Sequence, residues 1–293
     1  MNFLQKLLGR EKAPDPLPNN MIQSVDLPAP SPRLTLPPGL HIGQKTDVGR
    51  QRERNEDSLY TLNSFIHSNG LIRPFGIFIV ADGMGGYKGG EKASSLAAKI
   101  AADHIVKNLY LPDLLPAVYS DIQATIIEVL TTAVTEANQA ILTQVPESGT
   151  TLTIAVVMGQ QAYLAHVGDS RAYLYHDNEL EQLTQDHSVV ARMVEVGQLT
   201  AEEALTHQNR NVLYRAIGQT NTLEVETYLH TFLPNSYLLL CSDGLWNLIS
   251  DEEICQVLKA SESLDTTVSY LVDLANKNGG DDNITVILVG QGE

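Results

Sequence analysis

Three aspartates stand beside apolar runs that lie far apart in the chain. Asp82 follows the run 75–81, and similar runs flank Asp243 and Asp282. Each run has the length and the composition of a buried β-strand. Asp82 and Asp282 are separated by 200 residues, so a joint role for these carboxylates requires a sheet that brings the ends of distant strands together.

Hydrophobic periodicity predicts the other elements. Apolar side chains recur at helical spacing in 91–109 and again in 122–141. Further strands are predicted at 150–158, 162–167, 171–175, 223–229, 236–241 and 284–289, and further helices at 251–258 and 264–276. Residues 186–210 are polar and are predicted to be irregular. This order predicts an α+β sandwich, in which sheets pack together with helices outside them.

The charge balance disfavours one class of partner. The chain has 19 Lys and Arg residues against 35 Asp and Glu residues, which gives a net charge of −16. Such an acidic surface repels DNA and RNA phosphates, so we expect no nucleic-acid partner. Chemistry on a phosphoester would also need a positive charge that the sequence does not contain, and a bound divalent metal would supply it.

Composition favours a soluble cytoplasmic protein. The two cysteines, Cys241 and Cys255, are too few in 293 residues for a disulfide framework or a zinc site. Residues 1–8 lack the continuous apolar segment of a signal peptide. No apolar run approaches the ~20 residues that a membrane-spanning helix needs.

The N-terminal segment differs from the rest of the chain. Eight of the 13 prolines lie in residues 1–38, and proline-rich segments stay extended and cannot bury a core. We therefore predict a proline-rich tether at 1–38 and a compact domain at 39–293. Residues 1–8 form a short apolar stub, which is either a frayed terminus or a segment that docks on a partner or on the domain itself.

The glycines after Asp82 allow two interpretations. Gly83, Gly85 and Gly89 nearly match the G-x-G-x-x-G pattern of dinucleotide-binding loops, but the third glycine comes one residue late. A carboxylate at the mouth of such a loop would also repel the pyrophosphate. The same carboxylate suits a metal ligand, with the carbonyl group of Gly83 free to join it.

A charged loop adds three candidate site residues. The guanidinium of Arg52 presents a fork of donors that matches phosphate oxygens. Glu56 and Asp57 offer the hard oxygen ligands that Mg²⁺ and Mn²⁺ prefer. Taken singly, this loop is typical of a solvated surface, and the Asp-Gly and Asp-Asn pairs at 243 and 282 are typical of ordinary turns.

The ordered set of these residues resembles the PP2C-type (PPM) metal-dependent protein serine/threonine phosphatases, and the bacterial type in particular. The residues that carry the resemblance are Arg52, Asp57, Asp82-Gly83, Asp243-Gly244 and Asp282-Asn283. The segments 149–151 (GTT), 167–171 (VGDSR), 183–188 (LTQDHS) and 210–218 (RNVLYRAIG) agree with it. The resemblance covers about residues 40–290, which is nearly all of the chain except the tether.

The resemblance implies a fold and a metal site. The fold is an α-β-β-α sandwich of two stacked antiparallel sheets flanked by helix pairs, and the metals are two, or with a weaker site three, Mn²⁺ or Mg²⁺ ions. Asp82 would bridge two metals, with the Gly83 carbonyl on the second. Asp243 and Asp282 would be the remaining ligands of the first metal, and Asp169 would join Asp243 around the third. Glu56 and Asp57 would hold metal-bound water, either directly or through a residue of the second coordination shell.

The resemblance also implies the reaction. A water that bridges two cations ~3.5–4 Å apart would attack phosphorus in line, without a phosphoenzyme. Arg52 would hold the phosphoryl oxygens. The substrates would be phosphoserine and phosphothreonine in proteins, with a cognate serine/threonine kinase as the counterpart and a monomeric enzyme. Residues 188–209 correspond to the family's flap, a surface segment beside the cleft.

Two departures from the family pattern and two alternatives stay open. Bacterial members commonly have His where this chain has Tyr87, and a phenol with a reference pKa of ~10 is a poor general acid near neutral pH. His166 replaces a small amide and is predicted to be structural, as is Arg171 in an ion pair. A metal-binding pseudo-phosphatase, or a two-metal hydrolase of small phosphoesters, would have a similar set of residues, so turnover on a substrate panel is the discriminating measurement.

Overall fold

The computed structural model describes residues 36–68, 71–85, 89–115, 125–260 and 262–292. Most of the predicted tether and Tyr87 therefore lie outside the described residues. Leu36, the first described residue, already packs against a hydrophobic cluster of the domain. Among the described residues, no helix is both long enough and apolar enough to cross a membrane.

The described strands form two antiparallel sheets. Their bounds are β1 (Gly39–Asp47), β2 (Asp57–Ser68), β3 (Leu71–Met84), β4 (Gly149–Thr150), β5 (Leu152–Met158), β6 (Gln161–Val167), β7 (Arg171–His176), β8 (Glu179–Gln182), β9 (Glu226–Thr231), β10 (Tyr237–Cys241) and β11 (Ile284–Gly292). One sheet has the strand order β1-β11-β10-β7-β8, and the other has the order β2-β3-β5-β6-β9, with β4 paired to the end of β3.

Helices cover the outer face of each sheet. Their bounds are α1 (Gly89–Ile105), α2 (Leu111–Leu114), α3 (Ile126–Gln144), α4 (Val189–Glu195), α5 (Ala201–Thr206), α6 (Asp243–Trp246), α7 (Asp251–Lys259) and α8 (Leu264–Lys277), and a π-helical turn (Val106–Tyr110) joins α1 to α2. Helices α1 and α3 pack on the sheet that contains β3, and α6, α7 and α8 pack on the sheet that contains β11. The predicted α-β-β-α sandwich is confirmed.

Alternation along the central strands explains why the layers stack. In β3, Ile77 and Ile79 belong to the cluster beneath α1 and α3, whereas Phe78 and Val80 belong to the cluster between the two sheets. Successive side chains of a strand point to opposite faces, so a continuous apolar run fills two cores at once. The run before Asp82 is thus buried on both faces, and the end of the strand is fixed by packing.

One part of the secondary-structure prediction is wrong. Residues 186–210 were predicted to be irregular, but they contain α4 and α5. Ser188 caps α4, and Thr200 forms a capping box with Glu203 at the start of α5. These helices have only seven and six residues, so a search for hydrophobic periodicity over longer windows does not detect them.

We expect the cluster between the sheets to contribute strongly to stability. Phe78→Ala should lower the free energy of unfolding by about 3–5 kcal/mol, because it removes a fully buried ring from a packed interior. Phe65→Ala is the matched control, since the Phe65 side chain is 50% exposed, and it should cost much less. Chemical denaturation measures both values, and equal losses would contradict this description of the core.

Candidate active site

Strand pairing brings two of the predicted carboxylates together. Asp57 is the first residue of β2 and Asp82 lies near the end of β3, and the two are direct partners in the antiparallel register. Asp82 is held further by a hydrogen bond from its backbone N–H to Oγ1 of Thr151, at 2.9 Å. The sheet that contains β3 therefore presents two adjacent carboxylates at one end.

The other sheet contributes two more carboxylates at the same end of the sandwich. Asp243 follows β10 and Asp282 precedes β11, and these strands are antiparallel neighbours, with Ser242 N–H donating to the Thr285 carbonyl group at 3.0 Å. A β-carbon at Gly244 would overlap the carbonyl oxygen of Asn283. Only glycine permits this approach of the two strand ends.

Seven of the eight predicted site residues line a single cavity of about 480 Å³. They are Arg52, Glu56, Asp82, Gly83, Asp169, Asp243 and Asp282. The eighth, Asp57, is buried but does not line the cavity. Its Oδ2 atom accepts a hydrogen bond from the Ser242 hydroxyl group at 2.8 Å, which ties the two sheets together beside the cavity.

The chemistry of these residues fits a divalent cation. Asp57 Oδ1 and Asp243 Oδ1 are buried and have no hydrogen-bond partner among the described residues. Such an atom normally has a partner, and a hard cation would provide one. As the side chains stand, however, no three His, Cys, Asp or Glu residues in the described parts of the chain form a group that could hold a metal ion.

Burial and mutual repulsion both act on the carboxylates of this cluster. Burial, and then the neighbouring carboxylates, raise the pKa of Asp82 and of Asp243 well above the ordinary value. Burial is also the main cause that raises the pKa of Asp57 to about 6 and the pKa of Asp169 to about 7. The cavity therefore concentrates negative charge that only added positive charge can offset.

Arg52 is the one arginine among the residues that line this cavity. Its Nη2 atom donates to Oδ2 of Asp282 at 2.7 Å, and its side chain is about half exposed. The hydrogen bond with Asp282 raises the pKa of Arg52, so the guanidinium stays charged. A half-exposed guanidinium at the edge of a carboxylate cavity is placed to meet an incoming anion.

Asn283 holds the loop that carries Arg52 and Glu56. Its Oδ1 atom accepts from the backbone N–H of Glu56 at 2.8 Å, and its Nδ2 atom donates to the carbonyl groups of Val48 and Arg54 at 2.9 and 2.8 Å. The sequence showed the Asp-Asn pair at 282–283 but gave no sign of this role. The loop is thereby fixed to the start of β11, and its position follows that of Asp282.

Two buried histidines bracket the turn that carries Asp169. Gly168 has a φ of +116°, and a β-carbon there would overlap the side chain of Thr151, so the turn requires glycine. The backbone N–H of His187 donates to the Gly168 carbonyl group at 2.7 Å, and Gly168 N–H donates to Nδ1 of His187 at 3.0 Å. His166 Nε2 lies 3.0 Å from the same carbonyl oxygen. Asp169 is therefore held in the cavity by its neighbours on both sides.

Hydrogen bonding also fixes the protonation of these histidines. Because Nδ1 of His187 accepts a hydrogen bond, its Nε2 carries the proton and donates to Oε1 of Glu226, 3.0 Å away. Burial would raise the pKa of Glu226, but hydrogen bonds from Tyr228 and His187 lower it, so this carboxylate is ionised. Burial lowers the pKa of His166 to about 3. His166 is thus a neutral structural histidine, and this prediction is confirmed.

Arg171 has the structural role predicted for it. Its guanidinium contacts Asp186 through Nη2 at 2.7 Å and through Nε at 3.0 Å. It also lies over the Trp246 ring, with its central carbon 3.6 Å from the ring centroid. The ion pair joins the segment before α4 to the strand β7.

Comparison with known families identifies the class to which this fold and site belong. Residues 44–284 match the family model described as protein phosphatase 2C. That range includes most of the chain and every candidate site residue. The chain therefore belongs to the protein phosphatase 2C family.

Individual relatives match over most of their lengths. The serine/threonine phosphatase stp of Listeria welshimeri is 37% identical over 257 residues, covering 85% of this chain and 95% of that protein. Protein phosphatase PhpP of Streptococcus pneumoniae is 34% identical over 264 residues, covering 87% of this chain and 98% of that protein.

Solved structures agree with the fold. The serine/threonine phosphatase PstP/Ppp of Mycobacterium tuberculosis has a TM-score of 0.73 at 32% identity, covering 87% of this chain and 99% of that one. A structure of the PstP catalytic domain in complex with two manganese ions has a TM-score of 0.71 at 31% identity, covering 87% of this chain and 99% of that one.

We expect the carboxylate cluster to cost stability in the absence of cations. A carboxyl group whose pKa is higher in the folded than in the unfolded protein favours the folded state less and less as the pH rises between these two pKa values. At neutral pH, burying such a group therefore opposes folding. Asp243→Asn should therefore raise the melting temperature in EDTA, by about 2–4 °C for each kcal/mol of repulsion relieved. Thermal unfolding at neutral pH measures this shift.

The control for this experiment is a surface aspartate. Asp103 of α1 is exposed and pairs with Lys107 of the π-helical turn that follows, and such pairs contribute little to stability. Asp103→Asn should leave the melting temperature nearly unchanged. A melting temperature for Asp243→Asn at or below that of the parent protein would contradict the repulsion argument.

Proposed function

We propose that this protein hydrolyses phosphoserine and phosphothreonine in proteins, with Mn²⁺ or Mg²⁺ as the cofactor. The observation that carries the proposal is the convergence of Asp82, Asp169, Asp243 and Asp282, from both sheets, on one cavity that Arg52 also lines. The chain is a protein phosphatase 2C family member, and relatives that match it along nearly their whole length are described as serine/threonine phosphatases.

The metals would be held by oxygen atoms that lie on the cavity wall or that are buried without a hydrogen-bond partner. In this proposal Asp82, the Gly83 carbonyl group, Asp243 and Asp282 hold two cations, and Asp169 joins Asp243 around a third. Asp57, whose Oδ1 atom has no hydrogen-bond partner among the described residues, would complete the metal site from its buried position beside Ser242 and Asp82, directly or through a water. Bound cations would supply the missing positive charge, polarise the phosphoryl group and activate a water for in-line attack. The structure of the PstP catalytic domain in complex with two manganese ions supports the choice of cofactor.

The chain's own residues position the substrate. Arg52 would exchange Asp282 for two phosphoryl oxygens, since its planar fork suits both partners and the guanidinium is half exposed. Glu56 lines the same cavity, and its loop is held by Asn283, so its carboxylate is placed to orient the attacking water. Neither role needs a covalent intermediate on the protein.

The wider setting is also a proposal. The domain would span residues 39–293 with a proline-rich tether at 1–38, which agrees with the start of β1 at Gly39 and of the family match at residue 44. Residues 188–209, which contain α4 and α5, would be the flap. We propose a monomeric cytoplasmic enzyme that opposes a serine/threonine kinase acting on the same phosphoproteins.

The first test is metal-dependent turnover. The purified protein should release phosphate from p-nitrophenyl phosphate and from a phosphothreonine peptide with Mn²⁺, and EDTA should abolish the activity. Asp82→Ala and Asp243→Ala should each abolish it as well, because each removes a proposed ligand, whereas the surface variant Asp103→Asn should be fully active. Turnover that EDTA does not reduce would refute the metal mechanism.

The same assay separates the alternatives. Phosphopeptide binding without turnover of any substrate would identify a pseudo-phosphatase. Turnover of small phosphoesters without turnover of phosphopeptides would identify a small-molecule hydrolase.

The second test concerns Arg52. Arg52→Ala should raise KM for p-nitrophenyl phosphate roughly 10- to 100-fold, which is the usual loss for a charge-assisted hydrogen bond, and should change kcat less. Arg73 is the control, since it pairs with Asp113 away from this cavity. Arg73→Ala should leave both constants unchanged, and an unchanged KM for Arg52→Ala would remove Arg52 from the substrate site.

A further inference from the structure

A second cavity, of about 450 Å³, lies beneath the flap. We name it the flap cavity. Its apolar wall consists of Val190, Ala191 and Val194 of α4, Ala204 of α5 and Trp246 of α6. Its volume is within the ~300–1,000 Å³ range of protein cavities that bind small molecules or side chains. None of these residues belongs to the proposed metal site.

The flap cavity shares a wall with the catalytic cavity. Trp246 Nε1 donates to the Asp169 carbonyl group at 3.0 Å, and Nδ2 of Asn247, which also lines the flap cavity, donates to Oδ2 of Asp243 at 3.2 Å. On another side, Ser188 of the flap cavity forms a β-bridge with Leu213 of the catalytic cavity. A peptide held by its phosphoryl group in one cavity is therefore close to the other.

The charged groups on the wall of the flap cavity already have partners. Arg171 is paired with Asp186, and Glu195 is paired with Arg192. Arg210 is not free either. With its charges neutralised internally, the cavity has no electrostatic reason to bind an ion. Uncharged polar residues (Gln182, Thr184, Gln185, Ser188 and Asn247) also line it, and the apolar wall formed by α4, α5 and Trp246 suits an aliphatic or aromatic group.

Exposed apolar side chains continue this surface toward the catalytic cavity. Val212 lines the catalytic cavity and is 46% exposed, and Tyr214 nearby in sequence is 45% exposed. The backbone N–H of Val189, at the start of α4, donates to the Val212 carbonyl group at 2.8 Å. Apolar surface that reaches from a catalytic cavity to a neighbouring apolar cavity is typical of a binding surface.

We propose that the flap cavity binds an aliphatic or aromatic side chain of the phosphoprotein substrate, on the segment that flanks the phosphorylated residue. The inference rests on the proposed function and adds a sequence preference to it. The phosphoryl group is bound by Arg52 and the metal site, and the flanking side chain is bound between α4 and Trp246. A small substrate such as p-nitrophenyl phosphate uses only the first of these contacts.

The test compares phosphothreonine peptides that carry one Leu at successive positions on either side of the phosphothreonine, in an otherwise Ala and Ser background. At one position or a narrow range of positions, kcat/KM should exceed that of the peptide without Leu by roughly tenfold, as is usual for an apolar group in an apolar pocket. Val194→Glu should remove this preference, because it places a charge in the flap cavity, and should leave turnover of p-nitrophenyl phosphate unchanged.

Val196 provides the matched control. It lies two residues further along the flap, is 51% exposed and does not line the flap cavity. Val196→Glu introduces the same charge into the same segment and should retain both the preference and the turnover of p-nitrophenyl phosphate. Thermal unfolding of both variants verifies that each is folded.

A second measurement does not depend on turnover. Trp246 is the only tryptophan of the chain, so its emission reports directly on the flap cavity. At least one Leu peptide of the series, made with Thr in place of phosphothreonine, should change this emission in a saturable manner, and the change should be weakened at least severalfold in Val194→Glu but not in Val196→Glu.

The outcomes separate the inference from the proposed function. Turnover of p-nitrophenyl phosphate with no preference for any Leu peptide, or with a preference that survives Val194→Glu, overturns the inference and leaves the phosphatase intact. Without turnover of any substrate the proposed function fails, and the fluorescence titration then decides the inference alone. A saturable change that is lost in Val194→Glu supports a binding cavity, and no change refutes one.

Discussion

The structure depends on holding like charges together at one end of a sandwich. Asp57 and Asp82 are direct partners across two strands, and Asp243 and Asp282 are brought together by another strand pair. Their mutual repulsion and their burial oppose folding, as the raised pKa values of the buried members show. The apolar strands behind them, packed on both faces, offset this cost. These buried strands thus end at a cluster of like charges, which is typical of a site built for binding rather than for stability.

Hydrogen bonds between neighbouring residues of the site hold it in place, in addition to the packing of the two sheets. Asn283 fixes the loop of Arg52 and Glu56 to the strand that carries Asp282, and two histidines fix the turn of Asp169. Each candidate ligand therefore has a neighbour whose hydrogen bonds determine its position. Support of this kind sets the geometry and the basicity of a metal site as much as the ligands do.

Sequence reasoning predicted the layers and most of the cavity because its signals were local. An apolar run that ends in Asp-Gly indicates a buried strand and the place where it ends, as at Asp82 and Asp243. The resemblance to the family, rather than either local pattern alone, joined these residues with Asp169 and Asp282 into one predicted site. The roles of Asn283 and Ser242 in holding Glu56 and Asp57 could not be predicted, since Glu56 and Asp57 lie more than 180 residues away from them in the chain. The prediction for 186–210 was wrong because α4 and α5 are short, although the residues Thr200 and Glu203 contained a capping signal. Asp57 was placed in the right cluster, but its burial off the cavity wall depends on tertiary packing.

The helix α6 is a single turn, from Asp243 to Trp246. It has a candidate metal ligand at its beginning and an aromatic wall of the neighbouring cavity at its end, and Asn247 directly after it is hydrogen-bonded back to Asp243. If a group bound in the flap cavity displaces Trp246 and with it Asp243, then by thermodynamic reciprocity the occupancy of the proposed metal site would alter the affinity of the flap cavity by the same factor. Binding of the metals and preference for a peptide sequence would then be thermodynamically coupled.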